Sequence, residues 1–139
     1  LPALIAMLAD DHLGAAREDT AIPPRPTYLA AFGAMRDDPN QLLAVGEIDG
    51  EVIATLQLSF LPGLSRRGMW RGLVEGVRVR ADWRGKGLGE ALMGWAVETC
   101  RARGCGLVQL TTDLSRKDAH RFYDRLGFAH THAGYKLQL

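Results

Sequence analysis

The sequence predicts an α/β protein of the α+β type, with a mixed, mostly antiparallel sheet flanked by helices. Two apolar strands joined by Asp49 and Gly50 predict a hairpin, because this dipeptide suits the positive φ angles of a two-residue turn. A third strand leads through a glycine-rich loop into an amphipathic helix and then a fourth strand, which predicts a right-handed crossover and one parallel pair. No repeat or linker divides residues 1–139, so a single domain is expected.

The elements are predicted from periodicity and from their boundary residues. In order, they are helices at 1–8 and 27–36, strands at 41–48, 51–60 and 69–80, a helix at 88–103, a strand at 107–112, a helix ending at 126 and a final hairpin at 128–139. Prolines favour an extended segment before the second helix, and Gly104 and Gly127 suit helix ends. Ser115, with Asp118 three residues later, resembles a capping box.

One apolar pattern predicts the long strand, and another predicts a stripe of the following helix that faces the core. In the long strand, Leu73, Val77 and Val79 alternate with small or charged residues. In the helix that follows the glycine loop, the predicted stripe has helical spacing. Its members are Leu88, Ala91, Leu92, Trp95, Ala96 and Thr99.

Composition narrows the function classes. The formal net charge of +1 predicts neither a nucleic-acid nor a membrane partner, and no apolar run approaches the length of a bilayer span. Cys100 and Cys105 have no metal-ligand spacing and form no disulfide framework, which favours a reducing, cytoplasmic environment. Because the chain starts at Leu1 rather than Met, we expect that an N-terminal piece is missing.

The segment from Arg84 to Gly89 has the features of a phosphate-binding loop. Its glycines let the main chain approach a ligand closely, and it opens into a helix whose first amides have no intrahelical partner. The third glycine of a dinucleotide fingerprint is replaced by Glu90, and Lys86 is followed by Gly87 rather than by the hydroxyl residue of a P-loop. The loop instead resembles the pyrophosphate loop (Arg/Gln-x-x-Gly-x-Gly/Ala) of the GNAT superfamily of acetyl-CoA-dependent N-acetyltransferases.

A second block strengthens this resemblance. Residues 118–128 read DAHRFYDRLGF, similar to the segment A-x-x-F-Y-x-x-x-G-F that closes the GNAT fold, and similar to the same segment of aminoalkylphosphonate acetyltransferases. The resemblance extends over residues 45–139 and implies a splayed sheet. We expect the family's first strand to be missing from this chain, which would leave a sheet edge open or filled by a neighbouring chain.

The resemblance implies acetyl-CoA as cosubstrate and a set of contacts to it. The pantetheine arm is expected to pair with the main chain of Val77, Arg78 and Val79, since a splayed edge leaves main-chain groups unpaired. The pyrophosphate is expected at the glycine loop. The residues expected there are Arg84, Gly85, Lys86, Gly87, Leu88 and Gly89. Arg116 stands where many family members have Asn, so it is expected to reach a CoA phosphate instead.

The implied reaction is direct attack of an amine on the thioester. Glu75 is expected to be the general base, through water, on a face shared with Val77 and Val79 that is otherwise apolar, unless a bulge at Gly76 breaks that parity. Tyr123 matches the family's frequent general acid. The alternative bases are His12, His130 and His132, each with a surface role as the competing interpretation, and His120 is expected on the polar face of its helix.

The expected acceptor is a small-molecule amine. The acidic segment 10–26 would attract a cation, whereas Arg66, Arg67 and Arg71 would attract an anion, so an amine that also bears an anion suits both. A protein or peptide acetyltransferase and a non-catalytic acyl-CoA-binding module remain the alternatives. Family members often form homodimers, and no metal site is predicted.

Overall fold

Five helices and one four-stranded sheet form the fold, and the computed structural model describes residues 1–139. The strands are β1 (Gln41–Ile48), β2 (Glu51–Leu61), β3 (Arg71–Val79) and β4 (Leu107–Leu110), and they lie in this order in the sheet. The helices are α1 (Pro2–Ala9), α2 (Pro26–Asp37), the one-turn α3 (Ser65–Gly68), α4 (Leu88–Ala102) and α5 (Lys117–Arg125). None of the helices has the length and hydropathy needed to cross a bilayer.

The antiparallel half of the sheet confirms the predicted hairpin. β1 pairs with β2, and β2 with β3, both antiparallel. The turn between β1 and β2 has φ angles of 51° at Asp49 and 81° at Gly50, as a two-residue turn with two positive φ values requires. β2 is one of the two inner strands, and all but one of its residues from Ile53 to Phe60 are buried.

A bulge interrupts β3 at Gly76, which has a φ of 60°. The pairing runs from Gln57 opposite Glu75 to Thr55 opposite Arg78, so β3 contains one extra residue in this interval. A bulge reverses the faces of the residues that follow it. Before the bulge, Val74 is buried and Leu73 is half-buried.

The crossover through α4 brings β4 beside β3, as predicted. Just before the two strands begin, the amide of Gly106 donates to the carbonyl oxygen of Trp70 (2.9 Å), so the strands start side by side. β4 has four residues and β3 has nine, and β4 can therefore face only the first part of β3. The predicted extension of β4 to Thr112 was wrong.

α4 packs on the sheet through a buried stripe that shares Ala96 with the predicted one but otherwise differs from it. Met93, Ala96 and Cys100 are the buried residues, while Trp95 is 44% exposed. Gly72 permits this contact, since a Cβ at that position would lie 2.2 Å from Sγ of Cys100. Burial, and next the neighbouring Cys105 thiol, raises the pKa of Cys100 to about 11. Both stripes have helical spacing, and the sheet contact decides between them.

Residues Leu1–Gln109 and Leu110–Leu139 form two compact units. In the second unit the predicted capping box was wrong, because the hydroxyl of Ser115 donates to Asp113 (2.7 Å) and α5 begins without a side-chain cap. The predicted hairpin at 128–139 was also wrong, since these residues form no strand and Tyr135 and Leu137 are 95% and 86% exposed. Alternation indicates which face of a strand would be buried, but it does not supply a neighbouring strand.

Candidate active site

The glycine loop between β3 and α4 presents main-chain amides to solvent. Gly85 and Gly87 have φ angles of 75° and 79°, and Gly87 is the N-cap of α4. The first helical hydrogen bond runs from the amide of Ala91 to the carbonyl of Gly87 (3.0 Å), so the amides of Leu88, Gly89 and the next residue have no helical acceptor. These amides and the positive end of the helix dipole suit an anion.

Open space surrounds this loop. Gly85, Lys86 and Gly87 are exposed, and a Cβ built on either glycine meets no atom within 4 Å. Nζ of Lys86 lies 4.4 Å from the centre of the Trp83 ring, which holds a positive charge beside the amides. The predicted phosphate loop is therefore accessible, and its contacts with a cofactor remain predictions.

Arg84 connects the loop to two other elements. Its Nε donates to the carbonyl of Val79 at the end of β3 (3.0 Å), and its Nη2 donates to the carboxylate of Asp10 after α1 (2.6 Å). These bonds fix the path of the main chain from β3 into the loop. The side chain thus has a structural role, whether or not it also contacts a phosphate as predicted.

The part of β3 beyond the bulge offers an edge for a guest strand. The amide of Arg80 donates to Ile53 of β2 (2.8 Å), and the alternation of an antiparallel ladder then directs the main chain of Arg78 toward β2 as well. The main-chain groups of Val77 and Val79 point away from β2. The carbonyl oxygen of Val77 accepts a hydrogen bond from Nη1 of Arg78 (2.9 Å), and that of Val79 accepts one from Arg84. Of the three predicted pantetheine contacts, Val77 and Val79 have the required main-chain direction.

Glu75 lies immediately before the bulge and is exposed. Its neighbour across the sheet is Gln57, so the prediction of an apolar face around Glu75 was wrong. The bulge at Gly76 is the reason, because it separates the face of Glu75 from that of Val77 and Val79. The carboxylate forms no ion pair or hydrogen bond within the protein, which leaves it available to a ligand.

A polar row on β2 was missed by the sequence analysis. Thr55, Gln57 and Ser59 alternate along one face, and the last two both donate to Oε1 of Gln41 on β1, at 3.0 and 2.8 Å. The signal was present, because three polar residues alternate with large apolar ones in a strand that is otherwise buried. Such a row indicates a polar patch on a sheet face rather than ordinary core.

The acidic segment after α1 was expected to attract a cation, but its carboxylates are already engaged. Each bonds to a group of the protein. Asp10 pairs with Arg84, Asp11 with Arg78 (3.3 Å), Asp19 with Arg25, and Glu18 accepts from the hydroxyl of Tyr28 (2.7 Å). The charge of this segment is therefore largely neutralised.

The basic residues near α3 are arranged differently. Arg66 and Arg67 are exposed and have positive φ angles of 54° and 61°. The Nη2 atom of Arg71 lies 3.9 Å from the position that a Cβ on Gly63 would occupy, and its Nε is buried without a hydrogen-bond partner.

Within the second unit, Tyr123 is half-buried on α5. Its ring contacts Phe122 and Phe128 edge-on, with centroids 5.2 and 5.9 Å apart. Arg116 is the N-cap residue of α5. The Nε2 atom of His120 lies 3.0 Å from the carbonyl oxygen of Asp113. The catalytic and cofactor roles of these residues remain predictions.

Comparison with known proteins agrees with the fold. The model of the Acetyltransferase (GNAT) family matches residues 5–128. The aminoalkylphosphonate N-acetyltransferase of Salmonella typhimurium is 35% identical over 76% of this chain and 68% of its own length. The glucosamine 6-phosphate N-acetyltransferase of Trypanosoma brucei brucei is 38% identical over 57% of this chain and 52% of its own length.

A solved structure is similar over nearly the whole chain. The crystal structure of a transcriptional regulator from Bacillus halodurans C-125 has a TM-score of 0.97 and 43% identity, covering 99% of this chain and 92% of that one. The family match, the relatives and the sheet topology lead to one conclusion: the chain belongs to the GNAT family of acetyltransferases.

Proposed function

We propose that the protein transfers an acetyl group from acetyl-CoA to a primary amine of a small molecule. The observation that carries this proposal is the loop at the start of α4, in which residues 85–87 are exposed and the first helical amides have no helical acceptor. This loop follows the part of β3 that the shorter β4 does not reach. A diphosphate fits such a loop, and a chain of amides such as pantetheine fits such an edge. Acetyl-CoA, which has both parts, would supply the acetyl thioester.

The residues of the chain then have two tasks. An alkylamine with a pKa near that of lysine (~10.4) is mostly protonated at neutral pH, so it must lose a proton before it can attack. Glu75, exposed and without a protein partner, is proposed to accept that proton through water. Tyr123 is proposed to donate a hydrogen bond to the departing sulfur, on the strength of the family motif in which it lies.

The two curated relatives support a small acceptor that contains both an amine and a phosphorus-based anion. One is described as acting on aminoalkylphosphonates and the other on glucosamine 6-phosphate. The exposed Arg66 and Arg67 of α3 would complement such an anion.

A panel of amines with detection of released CoA thiol tests this function. The panel contains an aminoalkylphosphonate, glucosamine 6-phosphate, the same compounds without the phosphorus group, and a lysine-bearing peptide. We expect amine-dependent thiol release with at least one phosphorus-containing amine. Release with the peptide alone would move the assignment to a protein or peptide acetyltransferase.

A second candidate function is a non-catalytic acyl-CoA-binding regulator. One observation favours it, namely that the 43% identical solved structure is described as a transcriptional regulator. Tight binding of acetyl-CoA without amine-dependent thiol release across the panel would support this candidate.

The setting of the enzyme is also part of the proposal. The free Cys100 and Cys105 support a cytoplasmic location, because an oxidising compartment favours disulfides. A homodimer is proposed from the family resemblance, and size-exclusion chromatography with light scattering would measure it.

A further inference from the structure

One interior residue of β2 is partly open to solvent. Residues 53–60 of β2 are buried except for Gln57, which is half-buried. Glu75 lies directly opposite Gln57 on β3 and is exposed. Directly opposed residues have Cβ atoms about 4.5–5.5 Å apart, so their polar ends can reach one ligand atom. The bulge at Gly76 comes immediately after this pair.

Hydrogen bonds orient the Gln57 amide. Its Nε2 donates to Oε1 of Gln41 (3.0 Å), and the same oxygen accepts from the hydroxyl of Ser59 (2.8 Å), which is 5% exposed. The Oε1 atom of Gln41 thus accepts two hydrogen bonds, one of which comes from the side-chain nitrogen of Gln57. The Oε1 atom of Gln57 has no donor within the protein.

Two hydrogen-bond acceptors without protein donors therefore belong to residues that lie directly opposite each other on β2 and β3. One is the amide oxygen of Gln57, and the other is the carboxylate of Glu75, which has no cationic partner. A primary ammonium offers three donors and a positive charge, so it satisfies both groups at once. A phosphate or carboxylate would be repelled here.

We propose that Gln57 positions the acceptor amine, with its Oε1 accepting a hydrogen bond from the amine nitrogen opposite Glu75. The proposal rests on the N-acetyltransferase function proposed above. It adds a specificity-determining residue, held in place by Gln41 and Ser59, that selects a nitrogen with several N–H donors.

The test compares two variants at the same position. Gln57→Met keeps the length of the side chain but removes both its oxygen and the Nε2 donor to Gln41, whereas Gln57→Glu loses that donor and retains an oxygen, so the two variants differ in the oxygen. Because a hydrogen bond to a charged group is worth about one to two powers of ten in affinity, Gln57→Met should raise KM for the amine roughly 10- to 100-fold. The kcat value and the Kd for CoA should change less than about threefold, and Gln57→Glu should keep KM near the wild-type value.

The substrate for these measurements is the best amine of the panel. Should the panel give no turnover, the proposed function fails separately, and binding is followed by NMR. The side-chain NH2 signals of Gln57, assigned by their loss in Gln57→Met, should then shift when 2-aminoethylphosphonate or glucosamine 6-phosphate is added to the CoA-saturated protein.

Three results would overturn the proposal. The first is an unchanged amine KM in Gln57→Met, and the second is an equal loss in Gln57→Met and Gln57→Glu, which would indicate a structural role alone. The third, in the absence of turnover, is a set of Gln57 signals that neither amine moves. Ser59→Ala is the matched control, since it removes a supporting bond but leaves the oxygen of Gln57, and its KM effect should be the smaller.

Discussion

Gly87 gives the sharpest test of the loop at the start of α4. It has a φ of 79° and caps the helix, and a Cβ there would meet no protein atom within 4 Å. Gly87→Ala therefore adds a methyl group without an internal clash. The cost in folding free energy comes from the left-handed conformation, about 1–2 kcal/mol for an alanine.

The size of the expected effect on melting follows from chain length. With an unfolding entropy of about 2.1 cal/mol/K per residue, 139 residues give roughly 0.3 kcal/mol/K, so Gly87→Ala should lower Tm by about 3–7 °C. Gly50→Ala is the matched control. Gly50 has a φ of 81° and also has open space around it, but it lies in the hairpin turn between β1 and β2.

Affinity for CoA should separate the two variants. At Gly87 the methyl group enters the space in which a phosphate would approach the amides, and each lost hydrogen bond to a charged group is worth about 1.5–3 kcal/mol. We expect calorimetry to show CoA binding roughly 10- to 100-fold weaker for Gly87→Ala and unchanged for Gly50→Ala. Equal CoA affinities, with equal losses in Tm, would refute the assignment of this loop to phosphate binding.

The other predictions concern the core and the chemistry. Gly72→Ala should lower the free energy of unfolding by about 1–3 kcal/mol, because the added Cβ would overlap Sγ of Cys100. Adding Cys100→Ala should recover most of this loss. Urea titration measures both variants, with Gly33→Ala as a control in which the added Cβ meets no atom. Tyr123→Phe should lower kcat with little change in CoA affinity, and an unchanged kcat would remove this hydroxyl from the mechanism. The pKa of Cys100 is raised to about 11 from an ordinary 9.0, so the unfolded chain loses the thiol proton at lower pH than the folded protein does. The free energy of unfolding should therefore fall as pH rises from about 9 to 11. An equal fall with pH in Cys100→Ala would show that this thiol is not the cause.

Local signals in the sequence were sufficient for most of the fold. The turn at Asp49-Gly50 and the helix beginning at Leu88 were predicted because each depends on a few neighbouring residues. The buried stripe of α4 was not fully predicted, because two stripes had helical spacing and only the contact with the sheet selects Met93 and Cys100. The final hairpin failed for a similar reason, since strand pairing depends on a partner elsewhere in the chain.

The candidate site shows the same division. The glycine loop was recognisable because its residues are contiguous, and its exposure in the structure agrees with a ligand-binding role. The surroundings of Glu75 were not recognisable from the sequence, because the bulge at Gly76 changes which side chains lie on the same face of the sheet as Glu75. Gln57 and Gln41, sixteen residues apart, come together only through the pairing of β1 with β2.

The most direct measurement follows the main-chain amides of Gly85–Gly89 by NMR while CoA is added to the ¹⁵N-labelled protein. If these amides bind the diphosphate, their chemical shifts should change the most when CoA is added. Pantetheine, which lacks phosphate, should leave these shifts nearly unchanged. Binding of CoA with these signals unmoved, or equal shifts with pantetheine, would contradict the account.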